Sequence, residues 1–297
     1  MKVGLIGRTH WLLDTARLVL ERGHEVAFIC TAKASPESYA GVSEFQVFAE
    51  AHDIPFYSEP RISGLELYAD VCLSVNWVTV LRQSFLDRFP HGVFNAHPGD
   101  LPRFRGNACL NWAILVGEPT ATLTVHRMVE ALDAGPIALQ RRRPIQPDDD
   151  ITTLYSWLDQ VIPDALTEAL DRVADGTIQL QPQDSSIRSL RAYPRKPDDA
   201  KIDWRDSAER ILRLVRASTR PFPGAQTRLE SGQEIIVYRA RIHSPDHDYL
   251  AVPGQVCFSA AGNPVIATGD GLLELVELAD DTGAKRAVLS SLRNRLC

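Results

Sequence analysis

The chain lacks an excess of positive charge, a long apolar run, paired cysteines and a complete dinucleotide fingerprint. Each absence narrows what it can be. Its 297 residues carry 32 lysines and arginines against 38 aspartates and glutamates, a formal charge of −6. Surfaces that grip nucleic acid are strongly basic, so nucleic acid is not the expected main partner. No stretch reaches the ~18 apolar residues of a membrane span, and no membrane association is expected. The opening Met1-Lys2-Val3-Gly4-Leu5-Ile6-Gly7 runs directly into a strand, without the charged start and cleavage site of a secretory leader. The five cysteines, Cys30, Cys72, Cys109, Cys257 and Cys297, are odd in number and form no CxxC pair. They read as reduced thiols of a cytoplasmic protein, and no spacing suits a zinc site, so no metal is expected. The first turn, Gly4-Leu5-Ile6-Gly7-Arg8-Thr9-His10, lacks the third glycine of GxGxxG. The second strand ends at Cys30-Thr31 with no acidic residue, so a nicotinamide site is not expected.

The composition is that of a globular protein, 44% apolar and 24% charged, with enough length for one large domain and a smaller one. Val3–Ile6 is a buried strand. Leu12, Leu13, Ala16, Val19 and Leu20 follow at helical spacing, and Glu25–Cys30 is a second strand. This β-α-β opening builds a parallel sheet. Ser43 is read as the cap of the next helix, Val71–Val75 as another strand, and 82–88 as the helix that returns to Val93. Strands are expected at 120–126 and 137–145, then a long helix that Pro163 should kink or split. Residues 180–200, rich in proline, serine and aspartate, read as a surface linker. Beyond a helix starting near Ser207, short β-like runs alternate with turns. The expected architecture is α/β: an open, mostly parallel Rossmann-like sheet over 1–198 with helices on both faces, then a small β-rich, barrel-like domain over 199–297.

Polar residues concentrate at one strand end. Gly92-Val93-Phe94 leads into Asn95-Ala96-His97 and then a proline-broken loop through Gly106. Residues two apart on a strand share a side, which sets the Asn95 amide beside the His97 imidazole. Ligands of open α/β sheets bind at that carboxyl edge. Thirty-six residues past His97, Leu132-Asp133-Ala134-Gly135 puts a carboxylate in a glycine turn.

Asn95-Ala96-His97-Pro98-Gly99-Asp100-Leu101-Pro102-Arg103-Phe104-Arg105-Gly106, with Leu132-Asp133-Ala134-Gly135-Pro136-Ile137 downstream, resembles the formyltransferase superfamily, whose members use N10-formyltetrahydrofolate. Pro197-Asp198-Asp199, Lys201-Ile202-Asp203-Trp204, Arg216 and Pro221-Phe222-Pro223-Gly224 resemble the junction and C-terminal domain shared by its tRNA and sugar branches. The resemblance therefore spans nearly the whole chain. Gly99-Asp100 stands where relatives often have Ser-Leu. The 31–42 loop, basic in the tRNA branch, holds only Lys33, and phosphate backbones need several cationic contacts.

The resemblance implies formyl transfer from N10-formyltetrahydrofolate to a primary amine, expected as an amino sugar on a nucleotide diphosphate. A methionyl-tRNA acceptor is the alternative within the class, and a catalytically idle folate or nucleotide-sugar binder the alternative outside it. Acyl transfer to an amine needs an oxyanion donor and two proton movements. Asn95 is expected to supply the donor, His97 to move protons, and Asp133 to orient His97 and reach the amine through water. Backbone groups of Trp77, Val78, Thr79, Val80 and Leu81, with Leu132, are implied to hold the pterin. The Trp77 side chain is either part of that site or core. His10, Trp11 and Arg103 are expected at the acceptor, and Asp100 either touches the substrate amine or caps its turn. Arg105 either joins them or braces its loop. His10 and Trp11 have an equally good reading as a helix-start histidine and a core tryptophan. A homodimer is the expected assembly.

Overall fold

The computed structural model describes residues 1–59, 62, 64–280, 289 and 291–297. Its strands are β1 Lys2–Gly7, β2 Glu25–Cys30, β3 Phe56–Tyr57, β4 Val71–Val75, β5 Val93–His97, β6 Arg105–Gly106, β7 Thr120–Arg127, β8 Ile137–Pro144, β9 Arg191–Ala192, β10 Ala225–Arg228, β11 Glu234–His243, β12 Val256–Ala260, β13 Asn263–Ala267 and β14 Leu272–Asp280. The helices are α1 His10–Glu21, α2 Val42–Ala51, α3 Gln83–Leu86, α4 Cys109–Val116, α5 Ile151–Ala174 and α6 Ala208–Ser218. None is long and apolar enough to cross a membrane among the described residues.

The large sheet has the order β3-β2-β1-β4-β5-β7-β8. Strands β3 to β5 are parallel, whereas β7 runs antiparallel to β5 and β8 antiparallel to β7. The apolar runs that define β1, β4 and β5 lie in the interior, with Val3, Leu5, Ile6, Val71, Leu73 and Phe94 at most 1% exposed. Burying each such side chain is worth about 2 kcal/mol. Gly4 is a packing glycine rather than a phosphate-loop one. A Cβ there would lie 2.3 Å from the Phe28 ring. Register fixes what meets at the far edge. Ser74 on β4 faces Asn95, and across the antiparallel pair Asn95 faces His126 while His97 faces Thr124.

Three local expectations are corrected. Ser43 lies inside α2. The cap position is Gly41, whose N–H donates to Glu44 Oε2 at 2.8 Å, so the carboxylate performs the capping expected of the hydroxyl. Helix α5 is continuous across Pro163, which removes the split and leaves the kink of the two alternatives. Leu154, Leu158, Ile162, Leu166 and Leu170 are all fully buried along it, which outweighs the ~3 kcal/mol a proline costs in a helix. Residues 180–192 are not a free linker. Gln181 bridges to Ile137, and β9 pairs with β6.

The chain forms two compact units. One holds Met1–Cys109, Thr120–Pro144 and Tyr155–Tyr193, the other Leu110–Pro119, Ile145–Leu154 and Pro194–Cys297. The cut expected after residue 198 is a different division, since two short earlier segments group here with everything from Pro194 onward. In the second unit the sheet β10-β11-β14-β13-β12 is antiparallel. Helix α6 begins after Ser207, whose Oγ accepts the Arg210 N–H, and contributes Ile211 and Val215 to a core with Ile235, Val237, Leu273 and Leu275. Residues at the C-terminus join the two sheet edges. Arg228 exchanges backbone hydrogen bonds with Cys297 at 3.1 and 2.9 Å, and Leu296 N donates to Gly254 O at 2.8 Å. The barrel-like character comes from this closure.

Candidate active site

Strand β5 delivers Asn95 and His97 to the sheet's carboxyl edge, and the turn before β8 brings Asp133 to them. His97 is 5% exposed. Its Nε2–H donates to the Phe104 carbonyl at 2.7 Å, and its Nδ1 lies 3.7 Å from Asp133 Oδ2. The Asp133 backbone is left-handed, with φ 49°. That conformation suits the Leu-Asp-Ala-Gly turn, because aspartate tolerates it better than most residues. Gly135 is obligatory there: a Cβ would fall 1.7 Å from the Arg127 carbonyl. The Asp133 Oδ2 accepts the Gly106 N–H at 2.8 Å, which ties the carboxylate to the loop after His97.

Three residues of this cluster lie outside the motif read from sequence. His126 Nε2 is 3.7 Å from Asp133 Oδ1 and 3.4 Å from Asn95 Nδ2. Cys109 donates to the same Phe104 carbonyl at 3.0 Å and sits 3.7 Å from His97 Nε2. Gln183 Nε2 donates to the carbonyls of Asp133 at 2.7 Å and Gly135 at 2.9 Å. Burial pushes the His97 imidazole toward neutrality. The Cys109 sulfur, the Asp133 carboxylate and the Phe104 carbonyl outweigh burial and hold its pKa at about 9. His126 is driven the other way, to about 4, by burial and by the His97 charge, against the pull of Asp133. Near neutral pH the cluster thus holds an imidazolium, a carboxylate and a neutral imidazole that accepts a hydrogen bond from Asn95.

Gly99, the departure from the family pattern, has a steric cause. A Cβ there would lie 2.5 Å from the Phe104 carbonyl and 2.6 Å from His97 Nε2. The loop is pinned by Thr124, whose hydroxyl donates to the Gly99 carbonyl at 2.6 Å. Asp100 accepts from Arg142 at 2.9 Å. The Arg103 guanidinium lies 5.3 Å from the Phe104 ring centroid. Arg105 braces its loop through Gln183: its Nε and Nη2 both donate to Gln183 Oε1, at 3.2 and 2.5 Å. His10 and Trp11 open α1. Both are buried and both bond to Asp159 Oδ1, at 2.8 and 2.6 Å.

Trp77 packs in part against the core and donates to Thr79 Oγ1 at 2.9 Å. Leu81 is 6% exposed, so its side chain belongs to the core. Val78, Val80 and Leu132 present exposed apolar side chains, and an Arg82–Glu130 contact at 3.4 Å joins the two segments that carry them.

Comparison with known proteins decides the family. The sequence profile described as formyl transferase matches residues 50–170, and that described as formyl transferase, C-terminal domain, matches residues 195–294. The methionyl-tRNA formyltransferase of Pelobacter propionicus is 31% identical over 92% of this chain and 86% of its own length. The chain belongs to the formyltransferase family. The methionyl-tRNA formyltransferase of Citrifermentans bemidjiense is 30% identical over 94% of this formyltransferase and 88% of its own length. Among solved structures, the N-formyltransferase from Helicobacter canadensis, in complex with folinic acid and dTDP-3-aminofucose, aligns with TM-score 0.70 over 93% of this chain and 98% of that one, at 16% identity. HypX from Aquifex aeolicus in complex with tetrahydrofolic acid aligns with TM-score 0.64 over 96% of this chain, at 20% identity, and this chain spans 45% of its length. At such identities the structures attest the fold alone. The formyltransferase fold is the one this sequence adopts, with the mostly parallel sheet and the separate β-rich sheet.

Proposed function

We propose that this formyltransferase moves the formyl group of N10-formyltetrahydrofolate to the primary amine of a small molecule, with an amino sugar on a nucleotide diphosphate as the first candidate. The donor supplies a formyl group already activated on nitrogen. Asn95 has two amide N–H groups. One is directed at His126, and the other is available for the charge that develops on the formyl oxygen. The His97 imidazolium supplies the proton that the departing nitrogen requires, and the Asp133 carboxylate accepts the one the attacking amine gives up, directly or through water. The new C–N bond thus forms as the old one breaks, with one proton released and one delivered. The observation that carries this reading is His97 held 3.7 Å from Asp133 and two residues from Asn95 on the same strand.

The small-molecule acceptor rests on the pairing of cations in the second unit. Lys201, Arg205, Arg210, Arg213, Arg220 and Arg241 each contact a carboxylate. Cations held this way are poorly placed to grip a phosphate backbone. A second reading, formylation of a charged initiator tRNA, is supported by relatives about 30% identical over some nine-tenths of both chains. Transfer from N10-formyltetrahydrofolate to a panel of amino-sugar nucleotides, free amines and charged tRNA separates them. Formylation of charged tRNA alone overturns the small-molecule reading. Failure of every acceptor, with folate still bound, overturns catalysis on this panel.

A further inference from the structure

The 180–192 segment carries no recognised motif, yet it returns to the Asn95–His97–Asp133 cluster and holds it from behind. Gln183 makes every hydrogen bond there that its amide geometry allows in one orientation. Its NH2 group spans the Asp133 and Gly135 carbonyls at 2.7 and 2.9 Å, and its oxygen takes two donors of the Arg105 guanidinium at 3.2 and 2.5 Å. The flipped amide would set N–H groups against a guanidinium and oxygen against two carbonyls, so the orientation is fixed by its partners. On either side, Gln181 pairs with Ile137 and Arg191–Ala192 pairs with Arg105–Gly106. The Gly106 N–H in turn donates to Asp133 Oδ2. The carboxylate therefore stands in a turn that is left-handed at Asp133, and the same segment closes it at both ends.

We infer that Gln183 is a positioning residue for the transfer reaction: through its two carbonyl contacts, and anchored by Arg105, it sets where the Asp133 carboxylate stands against His97. The inference deepens the functional reading above and rests on it for the word reaction. The placement of Asp133 stands independently of any substrate, and the test is chosen accordingly. The charged and titratable groups around His97 are Asp133 and His126 with Cys109, and Arg105 lies beyond His126. Of these, Gln183 touches the first through its backbone and Arg105 directly.

The experiment is a titration of His97 in histidine-labelled full-length protein by NMR, for wild type, Gln183→Ala and Gln183→Glu, with near-ultraviolet circular dichroism reporting the fold of each. Loss of placement frees Asp133 to drift from His97, so the His97 midpoint should fall by a unit or more from about 9 in Gln183→Ala. Gln183→Glu keeps an oxygen for Arg105 and loses both donors. Its added carboxylate favours the imidazolium by itself, so this variant is read by rate. Formyl transfer should lose 10- to 100-fold in kcat, with KM for the amine within about threefold, in both variants. A His97 midpoint unchanged in folded Gln183→Ala, or a wild-type kcat in Gln183→Glu, overturns the inference. A shifted midpoint in a protein that formylates no acceptor leaves the positioning intact and overturns the proposed reaction instead.

Discussion

Asp133→Asn removes one of the groups that hold His97 protonated and leaves the Cys109 sulfur and the Phe104 carbonyl in place. The substitution is isosteric, and the remaining carbonyl oxygen can still accept the Gly106 N–H that Asp133 Oδ2 accepts at 2.8 Å. The fold should survive while the ion pair is lost. At the 3.7 Å separation of His97 Nδ1 and Asp133 Oδ2, an effective dielectric constant of ~20 gives about 4 kcal/mol, or about 3 pKa units. The imidazole, at about 9 in the wild type, then titrates well below that value, because burial opposes its charge and only the Cys109 sulfur and the Phe104 carbonyl still support it. At pH 8 the wild type carries mostly imidazolium and the variant mostly imidazole. A proton that must be delivered from His97 is then missing, and a positioned proton donor is worth roughly 100- to 10,000-fold in rate. The assay is formyl transfer from N10-formyltetrahydrofolate between pH 6 and 9, with the His97 midpoint read by NMR. The reasoning fails if His97 remains protonated at pH 8 in the variant, or if kcat falls less than about tenfold.

Asn95→Ala should cost roughly 100- to 1000-fold in kcat with folate binding retained, read from single-turnover rates beside a binding isotherm. Gly135→Ala drives a Cβ into the Arg127 carbonyl at 1.7 Å; a destabilisation of about 3 kcal/mol is expected in urea unfolding, and a loss under 1 would show that the turn yields. Folding stability should peak near pH 6.5. His97 binds its proton more tightly when folded, at about 9 against ~6.5 unfolded, so the stability it adds is complete below pH ~6.5 and is lost as pH rises to about 9. His126 is depressed to about 4, so its contribution is complete above pH ~6.5 and is lost as pH falls toward 4. Each contribution is about 3 kcal/mol, and a urea midpoint flat from pH 6.5 to 9 would contradict the first.

How much of this was legible depends on the reach of each interaction. The apolar runs of β1, β4 and β5 show themselves because a fully buried parallel strand needs uninterrupted hydrophobic residues. Asn95 and His97 show their common side because two residues of one strand need no partner to define it. Asp133 is found through its glycine turn, a local signature. His126 is not found, because its place opposite Asn95 is set by the antiparallel register of β5 and β7, and no local pattern specifies a register between distant strands. Gln183 is hidden for a different reason. Its surroundings have the composition of a surface segment, and a chain can be proline- and serine-rich and still spend its hydrogen bonds on a distant turn. Arg105 follows from the same blindness: a guanidinium beside the candidate site invites a ligand, and only the return of residue 183 reveals that its Nε and Nη2 donate within the fold.

The opposed states of the two histidines follow from a single carboxylate shared between them. Asp133 lies 3.7 Å from each, one oxygen per ring. One buried anion can balance one buried cation, and a second imidazolium would meet the first across the same carboxylate at a large desolvation cost. His97 takes the charge because the Phe104 carbonyl at 2.7 Å and the Cys109 sulfur at 3.7 Å add negative ends on its far side. His126, left neutral, keeps a lone pair on Nε2 and can accept from the Asn95 amide, whose nitrogen lies 3.4 Å away. Burial and the charge on His97 therefore together keep His126 proton-free at Nε2, and that state orients the Asn95 donor. In the proposed reaction the proton carrier and the oxyanion donor are coupled through Asp133 and His126, so removing the carboxylate should disturb both, and the loss in Asp133→Asn should not add independently to that in Asn95→Ala. A double variant whose loss in kcat/KM equals the product of the two single losses would show that the residues act separately.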